Sequence, residues 1–262
     1  MLDNNIINAL KEKEQAMLKE LATIFEKNEI RFFLACGTAL GCVRHEGFIP
    51  WDDDIDIYIM GKDYEKVRNI FATQDTGNLQ FQDYSTVDNY PYTFPKIVAK
   101  DTVLVEESLK HLSYKCGVYI DVFPLMEISD NRIIRKIKEG IRYYRYCLLK
   151  AYYFEFQSKF KKVLNKFVHM FISPRRVQEQ MFQMYRNEVQ EGKYLIDTSD
   201  FGKHAIIKRA LFDDVVKMNF EGEEMPMPVG YDQYLRDYYG DYMELPKEEE
   251  RVSRHHFARL EM

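Results

Sequence analysis

Residues 36–59 read CGTALGCVRHEGFIPWDDDIDIYI, from Cys36 to Ile59. The last six alternate: Ile55, Ile57 and Ile59 point one way, Asp54, Asp56 and Tyr58 the other, the two-residue period of a half-buried strand. Upstream, Ile30 to Cys36 is a short apolar run of strand type that closes at Gly37-Thr38. Ala39 to His45 then suits one or two helical turns stopped by Gly47, and Pro50 holds Ile49 extended in a loop. Strand, turn, helix, loop and strand within thirty residues predict an α+β fold with a mixed sheet.

The same stretch carries the chemistry. Three adjacent carboxylates and a fourth at Asp56 repel one another unless a cation, basic neighbours or solvent offset them. On an extended chain, side chains at i and i+2 share a face, about 6.5–7 Å apart at the backbone. Asp54 and Asp56 can therefore converge on one divalent ion or bracket two, and hard oxygen ligands favour Mg²⁺ or Mn²⁺ over zinc. A calcium loop of EF-hand type would need Gly at its sixth position and Glu at its twelfth. Counted from Asp52 these are Ile57 and Asp63, so that pattern fails. Backbone N–H groups at Gly37-Thr38 can hold phosphate oxygens, and Arg44 can pair with the same phosphates. A solvated acidic turn and the D-x-D of a metal-dependent glycosyltransferase are the competing readings of the acids.

Outward from this centre, residues 3–28 read as a helix with Asp3 as N-cap, Leu10, Met17, Leu21 and Ile24 on one stripe, and Asn28 closing it in a left-handed turn. A helix is expected over 62–72, with strands near 79–84, 93–99 and 117–123. The last of these sets Val118, Ile120 and Val122 against Tyr119, Asp121 and Phe123. From Asn131 the period changes to that of helices: Ile134, Ile137, Ile141, Tyr144 and Leu148 form one stripe, Phe156, Phe160, Val163, Phe167 and Phe171 another. Ser173-Pro174 starts a further helix. The final forty residues read as turns around a short helix at 231–238. Three parts are expected: a catalytic core over 1–130, a basic helical segment over 131–192, and a C-terminal part over 193–262 that completes the core.

CGTALGCVRHEGFIPWDDDIDIYI resembles the signature of the LicD family, part of the nucleotidyltransferase-fold superfamily and related to fukutin-type transferases. The likeness continues through TFPKI at 93–97, YIDVFPL at 119–125, and PVGYDQYLRDYYGDYMELP with Arg251 and His255-His256. The resemblance implies a nucleotidyltransferase-like sheet flanked by helices. It also implies transfer of phosphocholine from CDP-choline to a sugar hydroxyl of a cell-surface glycan precursor. It makes Gly37 and Thr38 the phosphate-cradling turn, Asp54 and Asp56 the metal-binding pair, and Asp121 the third carboxylate. Lys96 becomes a candidate phosphate contact, Asp52 and Asp53 supporting residues. A nucleotidyltransferase acting on a small molecule and a non-catalytic scaffold are the remaining alternatives.

Composition narrows the setting. The 262 residues carry 37 Lys+Arg against 42 Asp+Glu, a net charge of −5 that argues against a nucleic-acid coat. The charge is unevenly spread. Residues 132–176 hold 13 bases, two acids and ten aromatics, a local +11 that leaves −16 elsewhere. Basic, aromatic, amphipathic helices suit an interfacial membrane element, and a lipid-linked acceptor would explain one; the alternative is that the stripe packs on the core. Four cysteines show no C-x-x-C pair, as expected for idle thiols in a reducing compartment. The longest uncharged stretch, Phe32 to Val43, falls short of the roughly 18 residues a spanning helix needs. A cytoplasmic protein, peripheral at the inner membrane face, is the expectation.

Overall fold

The computed structural model describes residues 4–154, 163, 170–186, 192–253 and 256–262. Asp3, His255, and Phe156, Phe160 and Phe167 of the second predicted stripe lie outside these.

Helix α1 (Asn4–Lys27) buries Leu10, Met17, Leu18, Leu21 and Phe25. The left-handed residue after it is Glu29 (φ 53°), not Asn28, whose side-chain amide instead donates to the Ile24 carbonyl at 2.9 Å. Strand β1 (Phe32–Leu34) leads into helix α2 (Cys36–His45), which ends at left-handed Glu46 one residue before the expected Gly47. Strand β2 (Ile55–Met60), helix α3 (Tyr64–Thr73) and strands β3 (Leu79–Gln82), β4 (Lys96–Ala99) and β5 (Val103–Glu106) follow. Strand β6 (Tyr119–Ile128) runs five residues past its predicted end.

The central sheet runs β1-β2-β6-β4-β3. Beyond Leu125, the β4 side of β6 pairs instead with β7 (Tyr194–Asp197), which carries β8 (Ile206–Lys208). Among the described residues only β2 and β6 pair in parallel. Central strands with cover on both faces are buried on both, and this corrects the half-buried reading of 54–59. The alternation in chemistry is real, but the side of β2 that carries Tyr58 packs on Phe212 and Tyr234. Ile55 to Ile59 are all buried.

Helices α4 (Arg132–Tyr153) and α5 (Pro174–Arg186) pack on each other. The Asn131 side chain caps α4 by accepting from the N–H groups of Ile133 and Ile134. The final forty residues are more regular than their Pro and Gly content suggested. Strands β9 (Val215–Phe220) and β10 (Glu223–Pro228) form a hairpin closed by Glu221 and Gly222, both at positive φ, a two-residue turn whose twist suits a hairpin. Helix α6 (Tyr231–Tyr239) follows, and β11 (Phe257–Glu261) pairs with β5. The whole is an α+β fold in which helices flank a mixed sheet. Among the described residues, no helix is long and apolar enough to cross a membrane.

Candidate active site

Register brings the acids together. Asp56 on β2 lies directly opposite Asp121 on β6, and Asp121 opposite Lys96 on β4, so three charged side chains line up across three strands on one face. Asp54, two residues before Asp56, joins them: one carboxylate oxygen each from Asp54, Asp56 and Asp121 lie within 4.8 Å of one another. Asp56 and Asp121 are nearly buried, Asp54 half-exposed. Burial raises the Asp56 pKa well above the carboxylate range, and the charges of Asp54, Asp121 and Asp52 push it further. Closely spaced anionic oxygens in a cavity wall fit a hard divalent cation, which would remove that repulsion. The cluster can therefore hold a metal ion.

Lys96 sits differently from a phosphate-contacting lysine. Its ammonium is buried and donates to Asp121 Oδ1 at 2.6 Å, 3.2 Å from the ring centroid of Tyr119 and 4.2 Å from that of Tyr92. Burial works against that charge, but Asp121 and then Glu106 outweigh it and raise the Lys96 pKa. The side chain holds Asp121 in place.

Gly37 and Thr38 form the first turn of α2, where Ala35 supplies no side-chain cap. A Cβ on Gly37 would lie 2.5 Å from Asp52 Oδ2, so only glycine lets this carboxylate approach the turn. Thr38 is buried, and its hydroxyl accepts from the Asp56 N–H at 2.8 Å. It anchors the acid-bearing strand β2 to α2. Beneath them, the Cys36 N–H donates to the Tyr234 hydroxyl and Tyr58 donates to Asp197, fixing the strand–helix junction from below.

A cavity of about 1060 Å³ opens above the carboxylates, lined by Gly37, Arg44, Trp51, Asp54 and Asp56 on one side and by residues of the 239–252 segment on the other. Arg44 donates to the Tyr242 carbonyl at 3.0 Å, and the Arg44 and Arg251 guanidinium groups lie 6.0 and 5.5 Å from the Trp51 ring centroid. Ser253 donates to Asp53 at 2.8 Å, tying the tail to the acidic loop. Of the seven predicted site residues, Gly37, Arg44, Asp54 and Asp56 line this cavity and Thr38 bonds to Asp56; Asp121 lies within 4.8 Å of the Asp54 and Asp56 carboxylates, and Lys96 bonds to Asp121.

Two contributions escaped the sequence. The tail supplies a wall with Tyr239, Asp241, Glu244 and Glu250, which a run of turn residues does not announce. Glu14 is buried on α1 with Oε2 lacking a hydrogen-bond partner; burial and then the charges of Asp54 and Asp53 raise its pKa well above the usual range. A signal for it did exist. Position 14 falls on the apolar stripe between Leu10 and Leu18, where an acid is out of place.

A mixed sheet with three clustered carboxylates, two of them in the wall of a large cavity beside a glycine turn, is the arrangement expected of a nucleotidyltransferase-fold phosphotransferase. Residues 29–158 match the LicD/FKTN/FKRP nucleotidyltransferase domain, and the chain belongs to that family. It is 28% identical to the lipopolysaccharide cholinephosphotransferase LicD of Haemophilus influenzae, over 88% of each chain. It is also 29% identical to the uncharacterized protein RP689 of Rickettsia prowazekii, over 47% of this chain and 46% of that one. The protein is a phosphotransferase.

Proposed function

We propose that the protein transfers phosphocholine from CDP-choline to a sugar hydroxyl of a cell-surface glycan or its lipid-linked precursor, releasing CMP and depending on Mg²⁺ or Mn²⁺. The observation that carries this reading is the convergence of Asp54, Asp56 and Asp121 within 4.8 Å beside the large cavity. Phosphoryl transfer from a diphosphate needs charge neutralisation and in-line placement more than covalent help from protein. A divalent ion held by Asp54, Asp56 and Asp121 would supply Lewis-acid neutralisation of the diphosphate.

The side chains do the rest. Gly37 leaves room at the α2 N-terminus, and Arg44 offers its guanidinium to phosphate oxygens. The acceptor hydroxyl attacks the choline-side phosphorus and the bond to the CMP oxygen breaks; Asp121 serves either as the third ligand of the ion or as the base that takes the hydroxyl proton. Lys96, bonded to Asp121 on the side away from Asp56 in the sheet order, keeps that carboxylate oriented throughout. Choline donates no hydrogen bond, so cation–π contact with rings of the cavity wall such as Tyr239 is its natural recognition.

The test is a donor panel. Purified protein is incubated with Mg²⁺ and CDP-choline, other CDP-alcohols, nucleoside triphosphates or nucleotide sugars. CMP release from CDP-choline that stops in EDTA and in Asp56→Asn is expected. Pyrophosphate release from a nucleoside triphosphate, or glycosyl transfer from a nucleotide sugar, would overturn the reading.

A further inference from the structure

Helix α4 wears its side chains inside out. Ile134, Ile137, Ile141, Tyr144 and Leu148 recur at i, i+3, i+7, i+10 and i+14, the stripe that an ordinary surface helix turns to the core. Here the stripe faces away from the protein. Ile133 is 70% exposed, Ile137 59% and Tyr144 64%, with Ile134 and Ile141 exposed beside them and Leu148 half-buried. The residues that bury are Arg142, Leu149 and Tyr153 on the other side of the helix. Single exposed apolar residues are ordinary, whereas a contiguous stripe along three turns marks a surface meant to be covered.

Charge says by what. Seven Lys and Arg and one acid lie on α4, and that acid, Glu139, is engaged by Arg142 and by the Tyr185 hydroxyl. At about 100° per residue, exposed Arg132 and Lys136 fall on one flank of the stripe; Lys138 and Arg145 fall on the other, half-buried, where they donate to the Met184 and Gln180 carbonyls of α5 while keeping that flank positive. Isoleucines between two rows of bases match an anionic bilayer surface: aliphatic groups enter the acyl boundary while ammonium and guanidinium groups meet lipid phosphates. A second copy of the chain fits poorly, because a two-fold contact through this stripe would set two strongly basic faces against each other.

Topology gives the direction. Helix α4 leaves the far end of β6 and runs back about 33 Å. Its last turn meets His111, which bonds the Tyr153 carbonyl at 2.9 Å on the segment leading into β6. The stripe therefore runs alongside the sheet toward the end that bears Asp121.

We propose that the outward stripe of α4 seats the protein on an anionic membrane surface without crossing it. The proposal rests on α4 alone and goes beyond the catalytic reading, since vesicle binding is measured without donor or acceptor. The full chain is sedimented with vesicles of phosphatidylcholine alone and of phosphatidylcholine mixed with phosphatidylglycerol. Binding to the anionic vesicles only, weakened by salt, is expected. Ile137→Asp/Ile141→Asp should lower vesicle partitioning about tenfold or more while leaving the melting temperature and CMP release in bulk solution in place. Arg132→Glu/Lys136→Glu should weaken binding and flatten its salt dependence. Equal binding to both vesicle types, binding to neither, or wild-type binding by the isoleucine variant would overturn the proposal. So would a dimer in solution that the isoleucine variant converts to monomer, which would make the stripe a subunit interface.

Discussion

The central sheet and helix α4 invert each other. In the sheet, Asp56, Asp121 and Lys96 are buried among isoleucines and valines. On α4 the isoleucines stand in solvent, and the fully buried long side chain is Arg142, 1% exposed. Both arrangements cost free energy to keep, the first in desolvated charge, the second in wetted hydrocarbon. The costs are met in different ways. In the sheet, register gives Asp121 a partner in Lys96 at a fixed distance inside the molecule, while it sets Asp56 against Asp121, a repulsion that a bound cation would relieve. The apolar stripe of α4 meets no such partner among the described residues and is the natural place to look for one outside them.

The contrast can be broken in graded steps. Asp56→Asn removes a metal-facing oxygen from the crowded end of the acid line. CMP release from CDP-choline should fall at least about a thousandfold, measured as initial rate at saturating Mg²⁺. Folding should survive the change, because it removes a charge whose neighbours repel it. Lys96→Met cuts the line at its cationic end and strands Asp121. A stability loss of about 4 kcal/mol in urea denaturation is expected, since removing one member of a buried pair leaves the other uncompensated. Arg142→Met applies the same test to α4. Its guanidinium donates to both Glu139 oxygens and to the Thr198 and Asp200 carbonyls, and lies 3.9 Å from the Phe201 ring centroid. Glu139 keeps some access to water, so a loss of about 3 kcal/mol should follow.

A smaller effect comes from pH. Folding raises the pKa of Asp56 and Glu14, so ionising either acid weakens the fold. That penalty is absent below the unfolded-state values and grows as pH climbs through the folded-state ones. The metal-free protein should therefore melt lower as pH rises, and Glu14→Gln should recover a few degrees at the alkaline end of a calorimetric series. Equal pH slopes in the two proteins would show that Glu14 is charged and compensated. Smallest of all, Ile137→Asp should change solution stability by less than about 0.5 kcal/mol, because its side chain leaves little contact behind. A larger loss would mean that the stripe packs within the protein after all.

What could be read from the sequence followed from local periods. Residues 54–59 announced a strand and Arg132 onward a helix, because each repeats over many residues. Gly37, Asp54 and Asp56 were legible as a site because they lie within twenty residues of one another. The pairing of Asp56 with Asp121 was not, since 65 positions separate them and nothing local sets strand neighbours. The sequence offers Lys96 as a phosphate contact or a strand-edge lysine, and its ion pair with Asp121 is hidden for the same reason. Pro226 and Pro228 concealed β10, whose hairpin turn was written in Glu221-Gly222. On α4 the stripe was visible, but periodicity gives a face without saying whether protein or solvent lies against it.

Parallel pairing of β2 with β6 has one further consequence. Side chains alternate along each strand, so displacing β6 by one position would turn Asp121 to the opposite side of the sheet and bring Ile120 or Val122 beside Asp56. The sheet would still present a hydrophobic strand in the same slot, yet the third oxygen donor would be gone. A single-residue insertion or deletion between Tyr119 and Asp121 shifts the carboxylate off this face, so the reading frame of the strand is as much a part of the candidate site as the acids themselves.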